Sequence, residues 1–446
     1  MSGAAAAAKL EEKGALVYLM DAKEKAELPF IRELSLPEEQ MVFGREMSLA
    51  NVPGEPPDLV VLSPGVPPKV RAIQEALADG IRIWSEVELA LTDGQGDKGA
   101  GGFTVVGVTG SNGKTTTTSL IGALAESTGK KSVVAGNIGV PLTGLVPDEY
   151  DFIVAELSSF QLAFLDKLRI PIAVLLNVTP DHLDWHGSFE AYAAAKGRIL
   201  QNQLAGDVCV INGDCPVCRR LSEQVRGRRI VFSSTTLPDS GWGLERGWIV
   251  RRCDGKSRKV VPVDHLRLKG AHNWENVMAA LAVGEEMGLS DEDLVGVVGG
   301  FEAVRHRQEV VGTYNGVVYV NDSKATNPDS AIKALGSYTG PIVLLAGGRN
   351  KGLDMIGFMK AAKDRCRCVV IYGEATKELR EAAAEVGVLR TVVAESFADA
   401  VYAAVAESEA GDVVLLSPGC TSWDAFKNYE ERGDCFREMV MRLAGG

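Results

Sequence analysis

A chain of 446 residues is too long for one hydrophobic core and suggests roughly three domains at about 150 residues each. Its composition, 46% hydrophobic and 24% charged, is that of a globular protein, and eight cysteines are too few for a disulfide scaffold, which points to a reducing cytoplasm. Lys and Arg number 47 against 59 Asp and Glu, a net charge of −12 with no basic stripe, which argues against nucleic acid as a partner; no apolar run approaches the roughly 18 residues of a membrane span.

The opening "MSGAAAAAKLEEKG" lacks the basic region of a signal peptide and is rich in strong helix formers, so a helix is expected there. Short β-branched runs follow along the whole chain, among them "ALVYLMD", "DLVVLSPG", "FTVVGVTG", "SVVAGNIG", "DFIVAELSS", "IAVLLNVT", "PIVLLAGG", "RCVVIYG" and "DVVLLSPG". They end in Gly, Ser or Asp and alternate with helical stretches, which predicts parallel sheets covered on both faces, with ligands at the carboxyl ends of the strands. A Gly-rich polar linker at Thr92 to Gly102 and a softer change near Gly299 to Phe301 divide the chain into 1–95, 96–300 and 301–446, each with its own strand–helix alternation. Cys215 and Cys218 in "GDCPVCRR" lack a second pair at zinc spacing, so free thiols on a loop are expected.

"FTVVGVTGSNGKTTTTSLIGALAE" reads as strand, Gly-rich turn and helix. Backbone N–H groups of Gly110, Ser111, Asn112, Gly113 and Lys114, together with the helix N-terminus, can surround a phosphate; Lys114 would reach the terminal phosphates and Thr115 a Mg²⁺ ion. A strict phosphate loop has its first glycine at the place of Val108, which here has Gly107 and Gly110 on either side. Downstream, "DFIVAELSSFQL" ends a strand in Glu156, and the next strand runs into Asn177, Asp181, His182, Asp184 and His186, either a surface turn or a functional cluster. Phe189, Tyr192, Lys196 and Ile199 then fall at helical spacing, so Lys196 projects from an apolar stripe. It either snorkels to water or points inward with a function.

"GVTGSNGKTTTT", "GNIGVPL", "ELSSFQL", "NVTPDHLDWHGSFEAYAAAKGRI", "GAHNWENVMAAL", "NDSKATNPDS" and "LLSPGCTSWDAFKNYEERG", in that order, resemble the Mur ligases of peptidoglycan synthesis over nearly the whole chain. The last two motifs point to the branch that adds D-glutamate to UDP-N-acetylmuramoyl-L-alanine. The resemblance implies a Rossmann-like first domain that binds UDP, a central ATPase-type domain with a parallel sheet, and a Rossmann-like C-terminal domain that binds the amino acid. It implies an ATP-dependent amide ligation through an acyl phosphate, with two Mg²⁺ ions and a carbamylated Lys196, in a cytoplasmic monomer. On matching positions, Lys114 and Thr115 would hold the γ-phosphate and the first Mg²⁺ with Glu156, while His182 serves the second; Lys196 as a carbamate would offer Mg²⁺ an oxygen ligand, and Thr116 and Thr117 complete the ATP loop. Asn137 and Ser158 would contact the muramoyl group. Asn273 would lie at the adenine, with Arg307, Asp322 and Lys324 at ribose and phosphates. Thr326, Lys351, Ser422 and Tyr429 would grip D-glutamate, although Tyr429 replaces an expected phenylalanine and "GGRNKG" differs in detail around Lys351.

Two rivals stay open at this point. A folylpolyglutamate synthetase shares the loop and the lysine but not a uridine-binding first domain; a dinucleotide binder has no use for Lys114 and needs a G-x-G-x-x-G that is missing near the N-terminus. The family opens with a strand and a Gly-rich turn, and here Met1 falls inside that turn. A missing first strand is therefore expected, with the uridine diphosphate left to Asp21, Lys23, Ser63 and Gly65 and bound weakly.

Overall fold

The computed structural model describes residues 2–28, 36–92, 102–302 and 304–444. Most of the expected Gly-rich linker, 93–101, lies outside the described residues. The fold is α/β. It divides into two compact units, one of Met1–Val261 with Glu275–Val297 and the other of Pro262–Trp274 with Val298–Gly446.

In the first unit the opening segment is the expected helix, Ser2–Glu12. Strands β1 (Leu19–Asp21) and β2 (Met41–Phe43) pair in parallel, as do β3 (Leu59–Leu62) and β4 (Arg82–Ser85). Among the described residues no ladder joins these two pairs. The central sheet has nine strands: β5 (Thr104–Thr109), β6 (Ser132–Gly136), β7 (Phe152–Glu156), β8 (Ile172–Leu175), β9 (Val208–Asn212), β10 (Arg228–Ser233), β11 (Gly241–Glu245), β12 (Trp248–Cys253) and β13 (Lys256–Pro262), in the order β13-β12-β11-β10-β9-β8-β5-β7-β6. The continuous apolar runs of β7, β8 and β9 are buried along their whole length, as the covered faces of a parallel sheet require. β5 lies between β7 and β8 in the parallel core, so the loop that follows it opens beside the ends of both neighbours.

The second unit carries a six-stranded sheet of β14 (Glu309–Tyr314), β15 (Val317–Asn321), β16 (Ile342–Gly347), β17 (Cys366–Tyr372), β18 (Thr391–Val393) and β19 (Val413–Gly419), ordered β14-β15-β19-β16-β17-β18. Only β14 runs antiparallel, turning back at Asn315 and Gly316, both with positive φ (50° and 78°), the Asn-Gly pair a tight hairpin favours. Apolar side chains cover both faces of this sheet, in one cluster with Leu344 and Phe358 and another with Val343 and Phe436. The cysteine pair is not on a loop: Cys215 caps the helix Pro216–Leu221 and Cys218 is buried inside it, both as free thiols. Among the described residues no helix is long and apolar enough to cross a membrane.

Candidate active site

The loop after β5 is held by the loop after β8. Ser111 and Asn112 donate their backbone N–H groups to the carbonyl and the side-chain Oδ1 of Asn177, at 2.9 and 2.8 Å, and Asn177 Nδ2 returns a bond to Asn112 O at 3.0 Å. Ser111 Oγ bonds Thr179 O at 2.9 Å and Tyr192 OH at 2.8 Å. Gly110 is the glycine the loop needs, since a Cβ there would lie 3.0 Å from Leu176 Cβ and 3.3 Å from Asn177 N. Gly107 serves packing instead, with Ile170 Cγ2 at 2.9 Å from where its Cβ would be. Gly113, at φ 84°, starts the helix Lys114–Ser127, whose Thr115, Thr116 and Thr117 are buried despite the low helix propensity of threonine.

Lys196 does not snorkel. It is 2% exposed, and its Nζ donates to Gly110 O at 2.8 Å, the same carbonyl that accepts from Lys114 Nζ at 2.8 Å. Burial first, and the Lys114 charge second, pull the Lys196 ammonium well below the usual lysine range, against opposing contributions from Asp181, Cys218 and Glu156. Two lysine nitrogens on one oxygen repel each other as ammonium groups, and lowering the pKa of Lys196 eases that repulsion. Glu156 is buried at the end of β7 and accepts from Asn137 Nδ2 at 2.8 Å.

His182 follows the buried Asp181, with the backbone in the left-handed region (φ 52°), and its ring packs edge-on to Phe160 at 4.7 Å. His186 bonds Ser159 Oγ at 3.0 Å and is lowered to about 4 by burial, then by repulsion from His182 and Lys196, so it is neutral at pH 7. Ser158 caps the helix Ser159–Leu162 reciprocally with Gln161. Asp21 ends β1 and accepts from Lys23 N at 2.9 Å; Ser63 and Gly65 (φ 90°) form the turn after β3. That turn, with Leu62, Glu86, Phe160, Phe164 and Trp185, lines one groove.

In the second unit the ends of adjacent strands converge. Asp322 follows β15, accepts from Ser417 Oγ at 2.8 Å and Gln308 N at 3.2 Å, and is raised to about 7 by burial, against bonds and the charges of Arg307 and Arg432. Lys324 lies 4.7 Å over the ring of Tyr429, and Thr326 N bonds Lys324 O at 2.9 Å. The loop with Lys351 is locked to the loop with Ser422 by paired bonds between Arg349 and Thr421, at 2.9 and 3.0 Å. Asn273 packs in this unit, its Nδ2 on Lys269 O at 2.8 Å, beside His272, which bonds Gln308 Nε2.

Three further residues carry no functional signal in the sequence. Arg432 is fully buried and bonds Ser323 Oγ, Ser323 O and Cys420 O at 2.9, 2.7 and 3.2 Å, yet in "NYEERG" it reads as a solvent-facing charge. Asn276, whose Oδ1 accepts from Thr117 Oγ1 at 3.2 Å, is one helical turn past Asn273 in the quoted motif, and Glu86 carried no motif at all.

Among the described residues no group of three or more His, Cys, Asp or Glu is placed to hold a metal by itself. A phosphate loop ringed by two lysines, a buried carboxylate and inward threonines suits a metal held jointly with nucleotide phosphates. Such a loop on a parallel sheet, with a second α/β unit bearing convergent polar loops, is the equipment of an ATP-dependent ligase. Residues 108–284 match the Mur ligase middle domain and residues 306–420 the glutamate ligase domain of Mur ligases. UDP-N-acetylmuramoylalanine–D-glutamate ligase of Desulfitobacterium hafniense is 49% identical over 443 residues, covering 99% of this chain and 95% of the relative. The enzyme of the same name from Pelotomaculum thermopropionicum is 44% identical over 455 residues, with 100% and 96% covered. The crystal structure of UDP-N-acetylmuramate-alanine ligase from Thermotoga maritima is alike in fold, with a TM-score of 0.60 at 19% identity over 99% of this chain and 97% of its own. The chain belongs to the Mur ligase family.

Proposed function

We propose that the protein joins D-glutamate to UDP-N-acetylmuramoyl-L-alanine at the expense of ATP, in the cytoplasm and as a monomer. The observation that carries this reading is the convergence of Lys114 and the buried Lys196 on Gly110 O within a locked phosphate loop, in a chain with a glutamate ligase domain. Folylpolyglutamate synthesis and dinucleotide binding both give way to relatives at 44–49% identity along the whole chain.

Magnesium, when bound, would neutralise charge on the phosphoryl group in transfer and polarise it. Thr115, Glu156 and His182 are the residues for it, with Lys196 as a carbamate. The structural support for the carbamate is the shared carbonyl: a lowered pKa favours the amine that adds CO₂ and releases a proton to solvent, and the carbamate replaces a group that competes with Lys114 by one whose charge Lys114 attracts. Backbone N–H groups of Gly110 to Gly113 and Lys114 hold the phosphates, and Asn273, Arg307, Asp322 and Lys324 are assigned to the rest of ATP. Asn137 and Ser158 orient the muramoyl-alanine carboxylate for phosphorylation; Asp21, Lys23, Ser63 and Gly65 take the uridine diphosphate. Thr326, Lys351, Ser422 and Tyr429 hold D-glutamate so that its amine attacks the acyl phosphate. Boundaries near 95 and 300 remain our division of this work into three domains.

Phosphate release with UDP-N-acetylmuramoyl-L-alanine against a panel of D- and L-amino acids tests the reading. Release with D-glutamate alone is expected; turnover that prefers an L-amino acid, or none with this nucleotide, overturns it.

A further inference from the structure

The groove lined by Leu62, Ser63, Gly65, Phe160, Phe164 and Trp185 has a carboxyl group in its wall. Glu86 is 5% exposed. Its Oε1 accepts from Gln161 Nε2 at 2.9 Å, and its Oε2 is buried with no hydrogen-bond partner. A buried carboxyl oxygen with nothing bonded to it costs free energy, so its retention at a groove needs a reason. Position is not in question, since Ser85 N bonds Phe164 O at 3.1 Å and fixes this chain segment against the aromatic wall.

We propose that Glu86 is a substrate-positioning residue whose Oε2 accepts a hydrogen bond from an uncharged donor, a hydroxyl or amide N–H, on the amino sugar of the nucleotide substrate. This rests on the function proposed above. The chemistry of the walls agrees: aromatic rings suit the apolar face of a sugar, and one acceptor at its edge fixes the orientation. Gln161 links the site to the muramoyl end, because the amide that bonds Glu86 also closes the cap on Ser158, its Oε1 accepting from Ser158 N at 2.8 Å.

Burial pushes the Glu86 carboxyl up to about 7, and only the bonds from Gln161 and its own backbone N–H oppose it. The titratable side chains on elements packed around it are Lys9, bonded to Ala90 O, with Glu11 and Glu12 on the same helix, Arg82 on β4, Glu88, which accepts backbone N–H bonds from Asp166, Lys167 and Leu168, and Asp184 and His186 on the helix of Trp185. An arriving donor favours the carboxylate, so the sugar nucleotide should bind better as pH rises through 7.

Glu86→Gln is the decisive variant. Its amide oxygen can keep the bond from Gln161, which leaves the new NH₂ in the place of Oε2, where it opposes a donor. The KM for UDP-N-acetylmuramoyl-L-alanine is expected to rise about tenfold or more, to lose its fall between pH 6 and 8, and to do so with kcat and the KM for ATP and D-glutamate unchanged. A merely structural role would lower the melting temperature and leave the KM profile alone. Wild-type and variant KM values within twofold of each other at both pH values overturn the assignment of Glu86. A wild-type protein that turns over D-glutamate but not this nucleotide overturns the functional reading as well, which separates the two failures.

Discussion

Lys196 and Lys114 end on one carbonyl oxygen, and only Lys196 is sealed from water, so the two lysines have different work. Lys196→Ala should nearly abolish turnover, and short carboxylates such as acetate should restore part of it by supplying the missing oxygen ligand; full activity in the variant leaves the lysine no catalytic part. The sequence betrayed this residue because a lysine on an apolar stripe breaks the helical period. Glu86 and Arg432 broke no pattern, since a single charge near a helix start is ordinary until its burial is seen. Asp322 gives a second residue-scale test. Its carboxyl is raised to about 7 in the fold against 3.8 as reference, so the folded state holds a proton that the unfolded state has lost between those values. Stability is present below about pH 4 and falls as pH rises through 7. Relative to Asp322→Asn, urea melts of the wild type should lose up to roughly 4 kcal/mol between pH 4 and 7.5, from about 1.36 kcal/mol per unit. Parallel pH curves for the two proteins would show that Asp322 is ionised in the fold.

At the scale of elements, the residues proposed to hold D-glutamate depend on loops that follow β15, β16 and β19, neighbours in the sheet. The strands were legible because buried parallel strands are written as unbroken apolar runs, and their polar ends marked the loops. What tied the loops together was not legible: the Arg349–Thr421 bonds are backbone to backbone and leave no side-chain signature. Gly347 and Gly348 allow that approach, at φ 153° and 120°, with Thr421 O only 2.1 Å from where a Cβ on Gly348 would sit. Lys351 leaves this tie as a cation, suited to a carboxylate through a charge-assisted bond. Lys351→Ala should therefore raise the KM for D-glutamate by tenfold or more and leave that for ATP within about twofold. Equal losses for both substrates would assign Lys351 to the integrity of the loops rather than to the amino acid.

At the scale of the molecule, chain order and unit membership part company. Residues Pro262–Trp274 precede much of the helix Ala271–Glu286 yet pack with the second unit, through the His272–Gln308 bond and the Arg267–Glu302 ion pair. A boundary placed near 300 by composition alone misses this return of the chain, because the helix carries its apolar pattern across the change of unit without a break. Two units with separate cores need not unfold together, so ligands should stabilise them unequally. Hydrogen exchange read by mass spectrometry should show UDP-N-acetylmuramoyl-L-alanine slowing peptides at Ser63–Val66, Asn137 and Ser158, and ATP with Mg²⁺ slowing Gly110–Thr117. D-glutamate, added with a non-hydrolysable ATP analogue and the nucleotide sugar, should add protection at Asp322–Thr326, Gly348–Gly352 and Thr421–Tyr429. At a ligand concentration of about 100 Kd the local gain is about 2.7 kcal/mol, roughly a hundredfold in opening equilibrium, which such exchange resolves. Protection by D-glutamate confined to the first unit would contradict the division of labour between the two.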